Sequence, residues 1–196
     1  LEKLDVEMGK DPILAAFAPI QLIAAGGFVA VWYLKSRAST DDLDYLLEPE
    51  WAYDEDIKRP LRRAMVTVAR ALRLHRHWIN EDMALFVTRR AREQLFRRAD
   101  EQDIVLWRGT YLCVKAVPME WALESKLRRI HHADRGHDLQ DAVAILKHLR
   151  DRHGGPLDKK YIAGMNLNTF DVLPDDTTMS RVDAEYRKAY GEAIFK

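Results

Sequence analysis

The uncharged segment from Ile13 to Leu34 limits most strongly how this chain can fold. A membrane-spanning helix needs about 20 consecutive apolar residues, and this segment is long enough to supply them. Pro19 and the pair Gly26-Gly27 divide it into shorter pieces, however, which disfavours a continuous helix. The run Ile20–Ala25 between these breaks is typical of a buried strand that stops at a tight turn. We therefore expect no association with membranes.

Hydrophobic periodicity along the rest of the chain predicts a mixture of strands and helices. Further strands are expected at Asp42–Leu47, Ile104–Trp107 and Tyr111–Ala116. Helices are expected at Phe28–Ser36, around Leu61–Leu72 with Pro60 near the start, from about Asp82 to Ala99, after Pro118, from near Asp138, and at Arg181–Ile194. This order predicts an α+β fold, with a small mixed β-sheet flanked by helices and a helical C-terminal extension. The sequence His153-Gly154-Gly155-Pro156 is typical of a linker, so we expect one domain over residues 1–153 and a linker with a helical tail over 154–196.

Charge is balanced over the whole chain but not along it. The sequence has 31 basic and 31 acidic residues, so net charge gives no argument for a nucleic acid or a membrane as partner. Residues 41–56 contain eight acidic residues and no basic one, whereas residues 58–98 contain twelve basic and three acidic residues. These segments are either two solvated faces or a cation site beside an anion site. The single cysteine, Cys113, excludes an intramolecular disulfide and fits a reducing, cytoplasmic location.

Two carboxylates in the acidic segment are candidate metal ligands. Asp42 and Asp44 are two residues apart on a predicted strand, so both side chains would project from one face. Mg²⁺ is the hard, oxygen-seeking ion that bridges such carboxylates to nucleotide phosphates. Gly26 and Gly27 would let backbone N–H groups approach a phosphate without a side chain in the way. The alternative is that the Asp-Leu-Asp triplet is an ordinary strand edge.

Three charged residues later in the chain allow two interpretations each. Lys126 falls within the apolar stripe of the helix after Pro118, so its ammonium either reaches solvent at the helix rim or meets a carboxylate or phosphate. Asp138 and Asp141 are spaced to share one helix face. They are either an N-cap and a first-turn carboxylate, or part of a polar site.

Taken together, these motifs resemble the nucleotidyltransferase superfamily, and within it the abortive-infection-toxin-like (AbiEii-like) branch and related nucleotidyltransferase-fold proteins. The similarity covers about residues 20–150 and depends on four stretches: Ala25-Gly26-Gly27, Arg37-x-Ser39-Thr40-x-Asp42-Leu43-Asp44, Lys126, and Asp138-Leu139-Gln140-Asp141. It implies an enzyme that uses Mg²⁺ or Mn²⁺ to move a nucleotidyl group from a nucleoside triphosphate to an acceptor, either RNA or protein.

The resemblance also implies a role for each residue. Asp42 and Asp44 would bind the metal, and they would act in catalysis together with Lys126 and Asp141. The nucleotide would be bound by Gly26, Gly27, Arg37, Ser39, Thr40, Lys126 and Asp138. Asp41 makes the loop more acidic than the family pattern, so the metal-binding pair could shift by one residue.

One departure from the family pattern leaves catalysis open. Many superfamily members have a third carboxylate on a later strand, and no convincing counterpart lies between Ile104 and Ala116. The protein could therefore be a catalytically inactive binding module of the same fold, or an interaction domain whose polar motifs are caps and turns. An arginine-rich helix face could bind an RNA acceptor or could simply be solvated, and it comprises Arg62, Arg63, Arg70 and Arg73.

Overall fold

The computed structural model describes residues 1–132, 136–167 and 172–196. These residues form two compact units. The first comprises Leu1–Tyr33 and Ser39–Pro118, and the second comprises Leu34–Ala38 and Met119–Lys196. The first contains a β-sheet with helices, and the second contains helices, so the predicted α+β class is confirmed.

The first unit is built on a five-stranded sheet with the strand order β3-β2-β1-β5-β4. Its strands are β1 (Ile20–Ala25), β2 (Leu43–Leu47), β3 (Ile79–Asn80), β4 (Val105–Arg108) and β5 (Leu112–Ala116). The central strand β1 pairs antiparallel with β2 and parallel with β5, so the sheet is mixed, as predicted. Five of the six residues of β1 are buried, which explains why its sequence is a nearly continuous apolar run.

The helices of the first unit begin and end at clear local signals. They are α1 (Glu2–Met8), α2 (Pro12–Ala16), α3 (Gly26–Trp32), α4 (Glu55–Leu72), a 3-10 helix (Asp82–Phe86) and α5 (Arg89–Gln102). Helix α4 starts at Glu55 because the side chain of Asp54 caps it, so Pro60 lies inside the helix rather than near its start. The single helix predicted over residues 82–99 is wrong, because Thr88 begins a new helix by accepting a hydrogen bond from the N–H of Ala91.

A carboxylate from α1 fixes the turn between β4 and β5. Asp5 accepts hydrogen bonds from the backbone N–H groups of Thr110 at 3.1 Å, Tyr111 at 2.7 Å and Leu112 at 2.8 Å. Gly109 lies so close to this carboxylate that a side chain at that position would collide with it. The strands predicted at Ile104–Trp107 and Tyr111–Ala116 pair antiparallel, and the turn between them is stabilised by a residue far away in the sequence.

In its described residues, the second unit contains the helices α6 (Met119–His132), α7 (Gly136–His153), α8 (Lys159–Ala163) and α9 (Asp176–Tyr190). Helices α6 and α7 pack against each other, and both contact α9. The predicted C-terminal helix is confirmed, but it starts at Asp176, after the capping residue Asp175, and ends before Gly191, whose φ is +69°. The predicted domain division at residues 153 and 154 stays a prediction. Within the described ranges, no helix combines the length and the apolar character that crossing a membrane requires.

Candidate functional site

The glycine pair and the Asp-x-Asp motif meet in the first unit. Ala25, the last residue of β1, pairs with Asp44 of β2. Gly26 follows with a φ of +67°, and a Cβ atom there would lie 2.6 Å from Oδ2 of Asp44. A larger residue would strain the backbone and displace this carboxylate. Glycine is therefore what lets the end of β1 lie directly against Asp44.

The loop before β2 holds the other predicted residues of this unit. Thr40 donates a hydrogen bond from Oγ1 to the backbone oxygen of Asp42 at 3.2 Å, which fixes the chain just before the strand begins at Leu43. Asp42 is half-buried, and Ser39 is exposed. Gly27 is the second residue of α3 and is also half-buried. The nucleotide contacts predicted for Gly27, Ser39 and Thr40 stay predictions.

The residue beside Asp44 on the neighbouring strand is an amide. Strand β3 runs parallel to β2, and its register pairs Asn80 with Asp44. Asn80 accepts a hydrogen bond from the N–H of Asp82, the first residue of the 3-10 helix, at 3.0 Å. Among the described residues, no three His, Cys, Asp or Glu side chains are grouped to hold a metal ion. The donor set of Asp42 and Asp44 nevertheless fits Mg²⁺, which is commonly bound by one or two carboxylates, substrate phosphates and water.

Lys126 lies at the centre of a buried ion cluster in the second unit. Its Nζ is 2.8 Å from Oδ1 of Asp138 and 2.5 Å from Oδ2 of Asp141, and 6% of its side chain is exposed. Arg37 also binds Asp141 with two donors, and its Nε is 2.9 Å from Oδ1. The hydroxyl of Ser36 donates to the same oxygen at 3.3 Å. Arg37, Lys126, Asp138 and Asp141 are thus brought together.

Arg129 completes this cluster at the side that faces solvent. Its Nε lies 3.2 Å from Oδ2 of Asp138, and 43% of its side chain is exposed. Three cations, Lys126, Arg37 and Arg129, therefore face two carboxylates. Among the residues that the structure describes in this cluster, the positive charges exceed the negative ones by one, which favours an approaching anion.

These contacts decide two of the alternatives left open by the sequence. Lys126 does not reach solvent at the helix rim, since two carboxylates surround its ammonium. The N-cap interpretation of Asp138 is wrong, because α7 begins two residues earlier, at Gly136. Asp138 therefore lies in the first turn of α7, and Asp141 lies beyond that turn, where it is 1% exposed and ion-paired.

Three residues beside Asp44 or in the ion cluster were not predicted as site residues. Arg129 follows Lys126 by three residues, and that spacing on one helix is the signal that could have identified it. Ser36 was assigned to a helix over residues 28–36, but α3 ends at Trp32 and Lys35 has a φ of +55°, which a helix does not allow. Asn80 belongs to a two-residue strand, which is too short to show any periodicity.

The pKa of Asp138 reflects its position in the ion cluster. Burial raises this pKa, whereas the hydrogen bond from Lys126 and the charges of Lys126, Arg129 and Arg37 lower it. Together the cations outweigh burial, and the pKa lies below its usual value of 3.8. Folding therefore favours the ionised form of this carboxyl group.

We expect the second unit to lose stability in acid partly because Asp138 becomes protonated. Since folding lowers this pKa, the contribution is complete above the unfolded value of 3.8 and is lost as pH falls through the lower folded value. Thermal melts followed by far-UV circular dichroism, from neutral pH down to about pH 2, would measure this loss. In a plot of melting temperature against pH, Asp138→Asn should show a smaller fall at acid pH than the wild type. Asp151→Asn, at an exposed position of α7, should show the same fall as the wild type. Identical profiles for wild type and Asp138→Asn would contradict the prediction.

Searches of family models, curated proteins and solved structures find no match to this chain.

Proposed function

We propose that this protein is a Mg²⁺-dependent nucleotidyltransferase that moves a nucleotidyl group from a nucleoside triphosphate to an acceptor. The ion cluster of the second unit is the observation that carries the proposal. Arg37, Lys126, Asp138 and Asp141 were assigned to one site by the family resemblance, and they are joined by direct contacts although Arg37 and Asp141 are 104 residues apart. If these residues were only helix caps and solvent-exposed rim residues, no direct contacts among them would be expected.

The first unit supports the proposal through the contact between Gly26 and Asp44. Asp42 and Asp44 would hold the metal, which, when bound, neutralises phosphate charge and orients the triphosphate. Gly26 leaves room for the carboxylate of Asp44 at the point where β1 ends. Asp44, as a metal ligand, would thus be held in position by strand β2 of the sheet. In the reaction, the oxygen of an acceptor hydroxyl forms a bond to the α-phosphorus while the bond to pyrophosphate breaks, and the hydroxyl proton passes to solvent.

The geometry favours a positioning role for Asp141 rather than direct proton transfer. Its Oδ1 accepts hydrogen bonds from Ser36 and Arg37, and its Oδ2 accepts from Lys126 and Arg37. Both carboxylate oxygens therefore already have two donors each. We assign Asp141 the task of holding Arg37 and Lys126 in place, so that their excess positive charge is available to phosphate oxygens.

A catalytically inactive binding module is the second candidate, and one observation favours it. The residue paired with Asp44 on the neighbouring strand is Asn80, which carries no charge. An additional carboxylate at this position would strengthen the cation site, and two-metal chemistry needs more anionic ligands than Asp42 and Asp44 supply. Such a module would bind a nucleotide with Mg²⁺ and release it unchanged.

A binding assay combined with a product assay tests both candidates. The protein would be titrated with each common ribonucleoside triphosphate by calorimetry, with Mg²⁺ and with EDTA, and then incubated with α-labelled nucleotide and total cellular RNA or protein. We expect Mg²⁺-dependent binding, transfer of the label to the acceptor fraction and release of pyrophosphate. Binding without transfer would identify the module. Absence of any Mg²⁺-dependent binding would overturn the proposal.

A further inference from the structure

Helix α4 of the first unit carries a basic surface. Two depressions adjoin there, and the side chains of Arg62 and Val66 line both of them. The first depression has a volume of about 820 Å³ and is also lined by Ile13 of α2 and by Arg59, Arg63 and Arg70 of α4. The second has a volume of about 390 Å³ and extends from α4 to β3 and the 3-10 helix. We call them the arginine groove and the small pocket.

The arginine groove presents exposed cations that a ligand can contact. The side chains of Arg59, Arg62 and Arg63 are between 50% and 74% exposed. Glu55 pairs with Arg59 and Arg62, and Asp11 pairs with Arg63 at 3.5 Å. Exposed pairs of this kind contribute about 0–1 kcal/mol, so phosphate groups can replace the carboxylates at little cost.

The spacing of these arginines suits a chain of phosphates rather than a single anion. Arg59, Arg63 and Arg70 lie along one side of α4, and successive turns of a helix are about 5.4 Å apart. Guanidinium groups also bind phosphate with two parallel hydrogen bonds. A polyanion that follows α4 would therefore meet several donors in succession.

The small pocket has the mixed character of a nucleoside site. Its volume lies in the usual range for small-ligand sites, about 300–1,000 Å³. Leu61, Met65 and Ile79 give it an apolar lining. Asn80 and Asp82 supply oxygen atoms that can accept a hydrogen bond from a ribose hydroxyl. Single-stranded RNA can place an unstacked base in such a pocket, but a duplex keeps its bases inside the helix.

Tyr45 provides an underused hydrogen-bond donor in the small pocket. The residue is 5% exposed, and its hydroxyl points to Sδ of Met65 at 3.8 Å. A thioether sulfur is a weak acceptor, so an amide or ring nitrogen of a ligand would be a better one.

We propose that α4 binds single-stranded RNA, with phosphates in the arginine groove and one base in the small pocket. This binding does not depend on nucleotidyl transfer, since it requires neither a nucleoside triphosphate nor a metal. An acidic peptide would use the arginines but would leave the donors and acceptors of the small pocket without a role.

Fluorescence anisotropy with an unstructured RNA of about 20 nucleotides tests the proposal. The variant Arg63→Gln/Arg70→Gln should weaken binding by on the order of tenfold at moderate salt and lower the slope of log K against log salt by about 1.4, since each phosphate contact contributes about 0.7. The matched control, Arg90→Gln/Arg97→Gln on exposed positions of α5, removes the same charge outside both depressions and should change neither quantity. Melting temperatures of both variants would confirm that they fold.

A second variant tests the small pocket. Tyr45→Phe should weaken RNA binding several-fold without changing the salt slope, because it removes a hydrogen-bond donor and no charge. Duplex RNA, single-stranded DNA of the same sequence and polyglutamate should all bind more weakly than the single-stranded RNA. Absence of RNA binding, equal or tighter binding of any of these three competitors, or equal effects of the α4 and α5 variants would overturn the proposal.

Discussion

Asp141→Ala is expected to lower the free energy of unfolding of the second unit by about 3–5 kcal/mol. The variant would remove one of the two carboxylates that contact the ammonium of Lys126 among the described residues, and it would remove both hydrogen bonds that Arg37 donates to Asp141. The side chain of Lys126 is 6% exposed. Removing one partner from a buried group of ion pairs is strongly destabilising, because it leaves buried charge without full compensation. Chemical denaturation followed by circular dichroism measures the loss, provided that the denaturant dependence is unchanged.

The matched control for this change is Asp151→Ala on the same helix. Asp151 pairs with Lys147, but 54% of its side chain is exposed, so its removal should cost about 1 kcal/mol or less. The double variant Lys126→Met/Asp141→Asn removes both charges together and should recover part of the loss seen with Asp141→Ala. A loss for Asp141→Ala no larger than that for Asp151→Ala would show that the ion cluster contributes little to stability.

Asp42→Asn with Asp44→Asn is expected to abolish Mg²⁺-dependent nucleotide binding and to reduce transfer by on the order of a thousandfold or more. A metal contributes several kcal/mol to charge stabilisation in phosphoryl chemistry, and each 1.36 kcal/mol corresponds to a factor of ten in rate. The melting temperature should stay unchanged or rise, because two neighbouring negative charges are removed. Calorimetry with Mg²⁺ and nucleoside triphosphate, together with the product assay, measures both effects.

The control for the aspartate pair is Glu50→Gln with Glu101→Gln. Both residues are exposed and belong to the first unit, so this variant removes two carboxylates without touching the Asp-x-Asp motif. Its nucleotide binding should equal that of the wild type. A large fall in the melting temperature of Asp42→Asn/Asp44→Asn would instead identify the pair as structural, and unchanged binding would show that the metal lies elsewhere.

The accuracy of sequence-based prediction followed the strength of local signals. Both ends of strand β1 were predicted correctly, because Pro19 and Gly26 mark the limits of its apolar run. The start of α4 was predicted near Pro60, several residues too late. Asp54 caps the helix, but it lies in a segment with many other acidic residues, so it could not be recognised as the capping residue from the sequence. Strand β3 was missed because its two residues are held by pairing with β2, a contact that no local pattern encodes.

The candidate site could be predicted in chemical type more readily than in geometry. A lysine in an apolar stripe requires an anion or an exit to solvent, and a carboxylate, one of the partners expected for Lys126, does bind it. The contact of Asp141 with Arg37 is not predictable from the sequence, since it depends on how distant segments pack. The part played by Ser36 was hidden because a helix had been extended past the left-handed residue Lys35.

The short segment Leu34–Ala38 belongs to the helical unit although the chain on both sides of it belongs to the other. Neither unit is therefore one continuous stretch of polypeptide. A fragment cut to start at Met119 would keep every helix from α6 onward and would still lack the guanidinium and the hydroxyl that Arg37 and Ser36 give to Asp141. Expression of the segments before and after Met119 as separate halves would therefore divide the ion cluster, with Ser36 and Arg37 on one half and Asp141 on the other.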